Sequence, residues 1–306
     1  MRRVLFRKLA LGLRIACVSL FFVSCGEYQA ILKSQDNELW FRKGMEYYVA
    51  GDYDKAANLL GGVITRYAGT SQYDTIVTTY ASALVNLGDY FTAAHYYSDY
   101  VKTYPSSAKC EECQYMAGYC YYMLSPKVEL DQADSKSAID ELLLFVNLFP
   151  DSPKVPEAER MVREMEDKLA YKAYLGAKLY FDLGNYMGNN YQSAVITAQN
   201  CLKKYPDTKH REELSFLILR AKYIQAEQSV LAKQADRYRD AIDEYYSFVN
   251  EFPVSDYRKD ADKLLAKSQK GLAEAESLIP PSQDDLDYYK NYSARTQQNS
   301  ASGLQD

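Results

Sequence analysis

Residues 138–152 read "AIDELLLFVNLFPDS", an alanine followed by an apolar run that closes on Phe149-Pro150-x-Ser152. The ending recurs. "AAHYYSDYVKTYPSS" (93–107), "AVITAQNCLKKYPDT" (194–208) and "AIDEYYSFVNEFPVS" (241–255) align with it without gaps. Each sets proline twelve residues after alanine, an aromatic just before the proline, and Ser or Thr two after it. A fifth copy, "AANLLGGVITRYAGTS" (56–71), keeps Ala56, Tyr67 and Thr70 but has Ala68 in the proline slot. Successive alanines lie 37, 45, 56 and 47 residues apart. A period of that size signals stacked supersecondary units.

Within one copy, Ile139, Leu142, Leu143, Val146 and Phe149 fall at helical spacing. Proline cannot continue that helix, because it lacks the N–H and clashes with the preceding turn. The hydroxyl two residues later is expected to cap the next helix, with Pro153 at its first position. Upstream of each alanine lies a partner helix. "NELWFRKGMEYYVAGDYDKAANLL" sets Trp40, Gly44 and Tyr47 before the turn Gly51-Asp52-Tyr53, and "LGDYFTAA" (87–94) repeats that turn. Small Gly44 and Ala56 fall where two antiparallel helices would cross, roughly 8–10 Å between axes. This Trp, Gly, Tyr, Ala and Pro pattern resembles the tetratricopeptide repeat.

The resemblance implies an all-α chain, a right-handed solenoid of about five helix-turn-helix repeats with a capping helix. The units run about 38–71, 72–107, 108–152, 153–208 and 209–255, and the cap 256–278. Insertions at 125–137 and 183–193 separate the helices of two units. The fifth unit lacks an obvious compact turn in "HREELSFLILRAKYIQAEQSVLAKQ". Beyond it, 279–306 is polar and aperiodic and reads as a disordered tail.

The first 24 residues read as a signal peptide. Arg2, Arg3, Arg7, Lys8 and Arg14 precede the short apolar stretch "IACVSLFFVS", and Ser24-Cys25 follows. The stretch is too short for a comfortable membrane span. Its ending resembles a bacterial lipoprotein processing site, with Phe22 where leucine is usual, so Cys25 is the expected lipid-bearing residue and 25–37 a tether. Five of the 36 basic residues lie before Cys25 and no acid does, leaving 31 basic against 41 acidic, near −10. That balance gives no electrostatic reason to seek nucleic acid or an anionic membrane, so membrane contact is expected from the lipid.

Cys110, Cys113, Cys120 and Cys201 remain. "CEEC" (110–113) has the C-x-x-C spacing of redox and zinc sites. Packing thiols, an oxidised pair and a metal site all stay open, although Cys120 lies seven residues beyond Cys113 on the same helical face. Two histidines, no Gly-rich phosphate loop after a strand and no nucleophile motif argue against an enzyme.

A lipidation-type cysteine, five repeats and the "LDQADSKSAID" insertion (130–140), with Asp131-Gln132 before a second helix, together resemble the BamD family of outer-membrane assembly lipoproteins. The resemblance spans about 25–276. It implies a cofactor-free scaffold on the outer membrane, facing the periplasm. Its implied partners are the periplasmic domains of the BamA insertase, unfolded barrel precursors and other assembly lipoproteins. By analogy of region, Arg220, Tyr223, Arg237 and Tyr238 are candidate insertase contacts. Precursors are expected in the groove of the first three repeats, on first-helix residues that avoid the Trp40–Gly44–Tyr47 face. These are Phe41, Met45, Tyr48, Thr78, Ser82, Tyr115, Tyr119 and Tyr122. The tyrosine stripe of 115, 119 and 122 reads equally as packing between repeats. Rival readings are a pilotin or other periplasmic adaptor, and a glycan-binding lipoprotein, which a single tryptophan disfavours.

Overall fold

The computed structural model describes residues 26–278, and all its regular structure is helical. The signal peptide, Cys25 and the tail 279–306 lie outside the described residues. Residues 26–34 form helix α1. They are no free tether: Trp40 Nε1 donates to the Ile31 carbonyl at 2.8 Å, and the Tyr28 ring meets Tyr47 edge-on at 5.9 Å.

The chain then divides into two compact units, the first ending at Glu166 and the second starting at Asp167. In the first unit α2 (Asn37–Val49) pairs with α3 (Tyr53–Val63), α4 (Tyr73–Leu87) with α5 (Tyr90–Thr103), and α6 (Cys110–Leu124) with α7 (Ala133–Leu148). Each pair also packs on the next. The second unit contains α9 (Asn190–Lys204), α10 (Arg211–Glu227), α11 (Leu231–Glu251) and α12 (Arg258–Leu278). Helix α8 (Val155–Leu183) contains the boundary. Its first half joins a core of Tyr115, Leu142 and Phe145 through Ala158 and Met161. Its second half joins a separate core of Ala194, Ala198 and Leu214 through Ala170 and Ala177. The expected all-α repeat architecture is present, with α8 giving its two halves to different cores.

The repeated ending has one geometry. Tyr104, Phe149, Tyr205 and Phe252 are all C-caps, with φ of −127°, −131°, −127° and −122° and ψ of 60°, 60°, 71° and 70°. The following proline excludes the helical region at these residues. The hydroxyl two residues past proline does not cap the helix as expected. Ser107, Ser152, Thr208 and Ser255 instead accept the amide two residues on, from Lys109, Lys154, His210 and Tyr257. That is a hydroxyl turn, and the helix starts one residue later. Pro153 stands in this turn, before α8 begins at Val155.

The repeat alanines Ala56, Ala93, Ala138, Ala194 and Ala241 are all buried at the helix crossings. Glycines allow the same close approach. A Cβ on Gly118 would stand 2.7 Å from Leu142 Cδ2 and 3.1 Å from its backbone nitrogen. At Gly176 the nearest atom would be Thr197 Cγ2 at 3.9 Å. Gly118→Ala is therefore expected to destabilise the first unit by about 1–3 kcal/mol. Gly176→Ala should stabilise the second by about 1 kcal/mol through helix propensity. Urea titrations of both variants check the pair; equal shifts would contradict it.

The insertion at 125–137 contributes its last five residues to α7. Gln132 is buried, its Nε2 donating to the Lys127 carbonyl at 2.8 Å and its Oε1 accepting from Ser135 at 2.7 Å. Asp131 accepts the Ala133 amide at 2.8 Å. The Asp-Gln pair thus fastens the loop and starts the helix. The fifth unit does have a compact turn, residues 228–230, where Ser229 donates to the Gln225 carbonyl and Arg237 to Ser229. Sequence reading missed it because no glycine marks it.

Candidate functional site

In the first unit, the first helices of successive pairs are linked by the predicted groove residues themselves. Tyr48 Oη and Ser82 Oγ are 2.8 Å apart, joining α2 to α4. Thr78 Oγ1 accepts from Lys109 Nζ at 2.8 Å, joining α4 to the start of α6. Tyr122 donates to Glu164 at 2.5 Å, joining α6 to α8. These side chains share a face because they recur at spacings of three and four along parallel helices. They are not idle surface. Phe41 and Met45 are half-buried against the core, Phe41 with its ring 5.6 Å from Tyr67.

Tyr115 is a correction. It is 6% exposed, with its ring 5.4 Å from Phe145, and burial drives its phenol pKa upward. The packing reading holds for this member of the stripe. Tyr119 and Tyr122 are half-buried, and Tyr119 stacks on Tyr115 at 6.4 Å. Tyr122 is raised first by its bond to Glu164 and then by burial.

The second unit needs a similar revision. Tyr223 and Tyr238 are buried in one core cluster, Tyr223 bonded to Glu227 at 2.6 Å, so neither presents a surface. Arg237 is half-buried and donates to Ser229. Arg220 alone is exposed, its guanidinium 4.4 Å from the Phe181 ring centre, a cation–π distance. It lines an open cleft of 180 Å³ with Tyr174, Phe181, Glu213, Phe216 and Tyr257. Phe216 and Tyr257 stack at 4.6 Å. Burial, then the Glu213 carboxylate, pushes Tyr174 up to about 12. The sequence held a signal for this site. Tyr174 and Phe181 lie seven residues apart on α8, and Phe216 and Arg220 four apart on α10, each pair on one helical face.

All four cysteines are free and buried. Cys110 donates to the Tyr104 carbonyl at 3.0 Å and Cys201 to the Ala170 carbonyl at 3.6 Å. Burial pushes Cys113 and Cys120 up to about 12, and Tyr100 likewise. Unfolded thiols and phenols titrate near 9 and 10. Below pH 9 both states keep these protons. As pH rises from there toward 12, the unfolded chain releases protons that the folded chain holds, so stability falls. Urea midpoints should therefore drop steadily above pH 9; a flat profile there would show these groups titrating normally in the fold.

Stacked antiparallel helix pairs with polar-linked rows and an aromatic cleft define a helical-repeat architecture. The chain belongs to the YfiO outer membrane lipoprotein family, whose model matches residues 33–187 and 183–297. It is 26% identical over 220 residues to a protein of Aquifex aeolicus named for the outer membrane protein assembly factor BamD, covering 68% of this chain and 69% of that one. It is 22% identical over 186 residues to the outer membrane protein assembly factor BamD of Caulobacter vibrioides, covering 60% of this chain and 59% of that one. Among solved structures, the yeast Sti1 TPR2AB domain in its pHSP90 complex is similar over 76% of this chain and 98% of that chain, at 16% identity. Its TM-score of 0.33 is too low to bear on the fold.

Proposed function

We propose that this chain is a non-enzymatic scaffold of the outer-membrane β-barrel assembly machinery. Lipid on Cys25 anchors it, it faces the periplasm, and it binds the periplasmic domains of the BamA insertase together with unfolded barrel precursors. The names of its relatives support the machinery. The observation that carries the partner reading is the Arg220 cleft, an exposed cation on an aromatic floor. Arginine and aromatic side chains dominate binding energy where polypeptides dock. Insertase is assigned to this cleft, and precursors to the row of Tyr48, Ser82, Tyr119 and Tyr122. Arg220→Glu should cut insertase co-purification at least about tenfold, equivalent to about 1.4 kcal/mol, with an unchanged melting curve because the side chain is exposed. Undiminished co-purification from a folded variant would remove the cleft from the proposal.

A further inference from the structure

Five exposed apolar side chains of the first unit fall at one edge, and three others, Leu143, Leu144 and Leu148, lie on the second half of α7. The turn from first to second helix exposes Val49 in the first pair, Leu87 and Phe91 in the second, and Met123 and Leu130 in the third. Val49 is 83%, Phe91 67% and Leu130 58% exposed. At the other end, in or directly beside the turns 65–72, 104–109 and 149–154, Leu148 is the one large apolar side chain exposed among the described residues. Folding gains nothing from leaving these five in water, and grouped exposure of this kind marks a contact surface.

Helix α1 reaches the same edge. It runs antiparallel to α2, since Ile31 meets Trp40, Tyr28 meets Tyr47 and Glu27 meets Lys43. Gly26 therefore lies beside the end of α2 that carries Val49, and the chain leaves the described residues there, one position from Cys25. Among the described residues no helix is long and apolar enough to cross a membrane. From this juxtaposition we propose that the edge formed by Val49, Leu87, Phe91, Met123 and Leu130 rests on the lipid surface into which the Cys25 anchor inserts. The proposal rests on the anchoring reading above and adds a second, protein-borne contact to it.

The chemistry specifies the lipid. Asp52, Asp89, Glu129 and Asp131 stand in these turns against Lys55 and Lys127, so the edge is acidic and has no basic patch for an anionic surface. Apolar tips with no such patch suit zwitterionic headgroups. One anchor chain alone gives marginal binding, and a second contact raises the residence time of the whole. It also fixes the orientation, because three turns on one edge define a line where a single tether defines a point.

The four cysteines among the described residues are buried and the lipid occupies Cys25, so in the processed chain a new surface cysteine can be labelled selectively. The acylated chain, its mass confirming the lipid, is prepared as Phe91→Cys and, at the opposite edge, Ser106→Cys, each carrying an environment-sensitive fluorophore. Both are placed on phosphatidylcholine–phosphatidylethanolamine vesicles containing a spin-labelled quencher lipid. Quenching at position 91 should be at least about threefold that at 106, with little change when salt is added. Equal quenching at both, or none at 91, overturns the proposal. So does quenching that needs phosphatidylglycerol and vanishes in salt, or a label at 91 shielded in lipid-free solution by a second copy. If the mass shows no acyl group, the anchoring reading fails. The edge is then judged by the same outcomes on a chain begun at Gly26, so without Cys17 and Cys25, and held to nickel-chelating lipid by an N-terminal hexahistidine tag.

Discussion

Phe145→Ala is expected to cost about 3–5 kcal/mol, the range for truncating a buried phenylalanine. The side chain is fully buried, 5.4 Å from Tyr115 and 5.9 Å from Phe149, in a core with Leu142, Ala158 and Met161. That core is small and is closed by helices from two repeats, so little can collapse into the space left. A loss of this size is a large share of the roughly 5–15 kcal/mol that holds a domain folded. Because α8 gives its two halves to different cores, the loss should fall on the first unit. Denaturant unfolding followed by thiol exposure separates the units, since Cys113 and Cys120 lie in the first and Cys201 in the second. A loss below about 1 kcal/mol would mean that the site closes over the missing ring.

Cys25→Ala should release the protein from membranes and leave it unlabelled by a radioactive fatty acid. Acyl chains supply about 0.8 kcal/mol per buried CH₂, far more in total than five exposed side chains at an edge. Removing the attachment atom should therefore move most of the chain to the soluble fraction, even if the edge still touches lipid. Label retained by the variant would place the lipid elsewhere and end the reading of Ser24-Cys25 as a processing site.

The repeat was legible because its residues obey local rules. Proline fixes the C-cap geometry at Tyr104, Phe149, Tyr205 and Phe252 whatever the rest of the chain does. Small side chains at Ala56, Ala93 and Ala138 are required wherever two helices cross closely. The site was less legible. Tyr115, Tyr119 and Tyr122 have the same periodicity whether they face a groove or a neighbouring helix, and only packing distinguishes buried Tyr115 from its half-buried neighbours. Arg220 was found by region, but Tyr223, three residues on, points into the core. The cleft itself draws on α8, α10 and the residue before α12. No single window of sequence contains it.

The recurrent corner also sorts where this chain can change length. Inserting one residue between Tyr104 and Ser107 would separate the C-cap from the hydroxyl that accepts the Lys109 amide and so displace the start of the next helix. The four aromatic-proline corners keep one length from copy to copy, six residues between helices. The connection inside a pair carries no such constraint. It is three residues at 50–52, eight at 125–132 and six at 184–189, and the helices on either side still meet. One end of each pair therefore behaves as a fixed gear tooth and the other as slack. Among the copies that carry the proline, length therefore varies on the slack side.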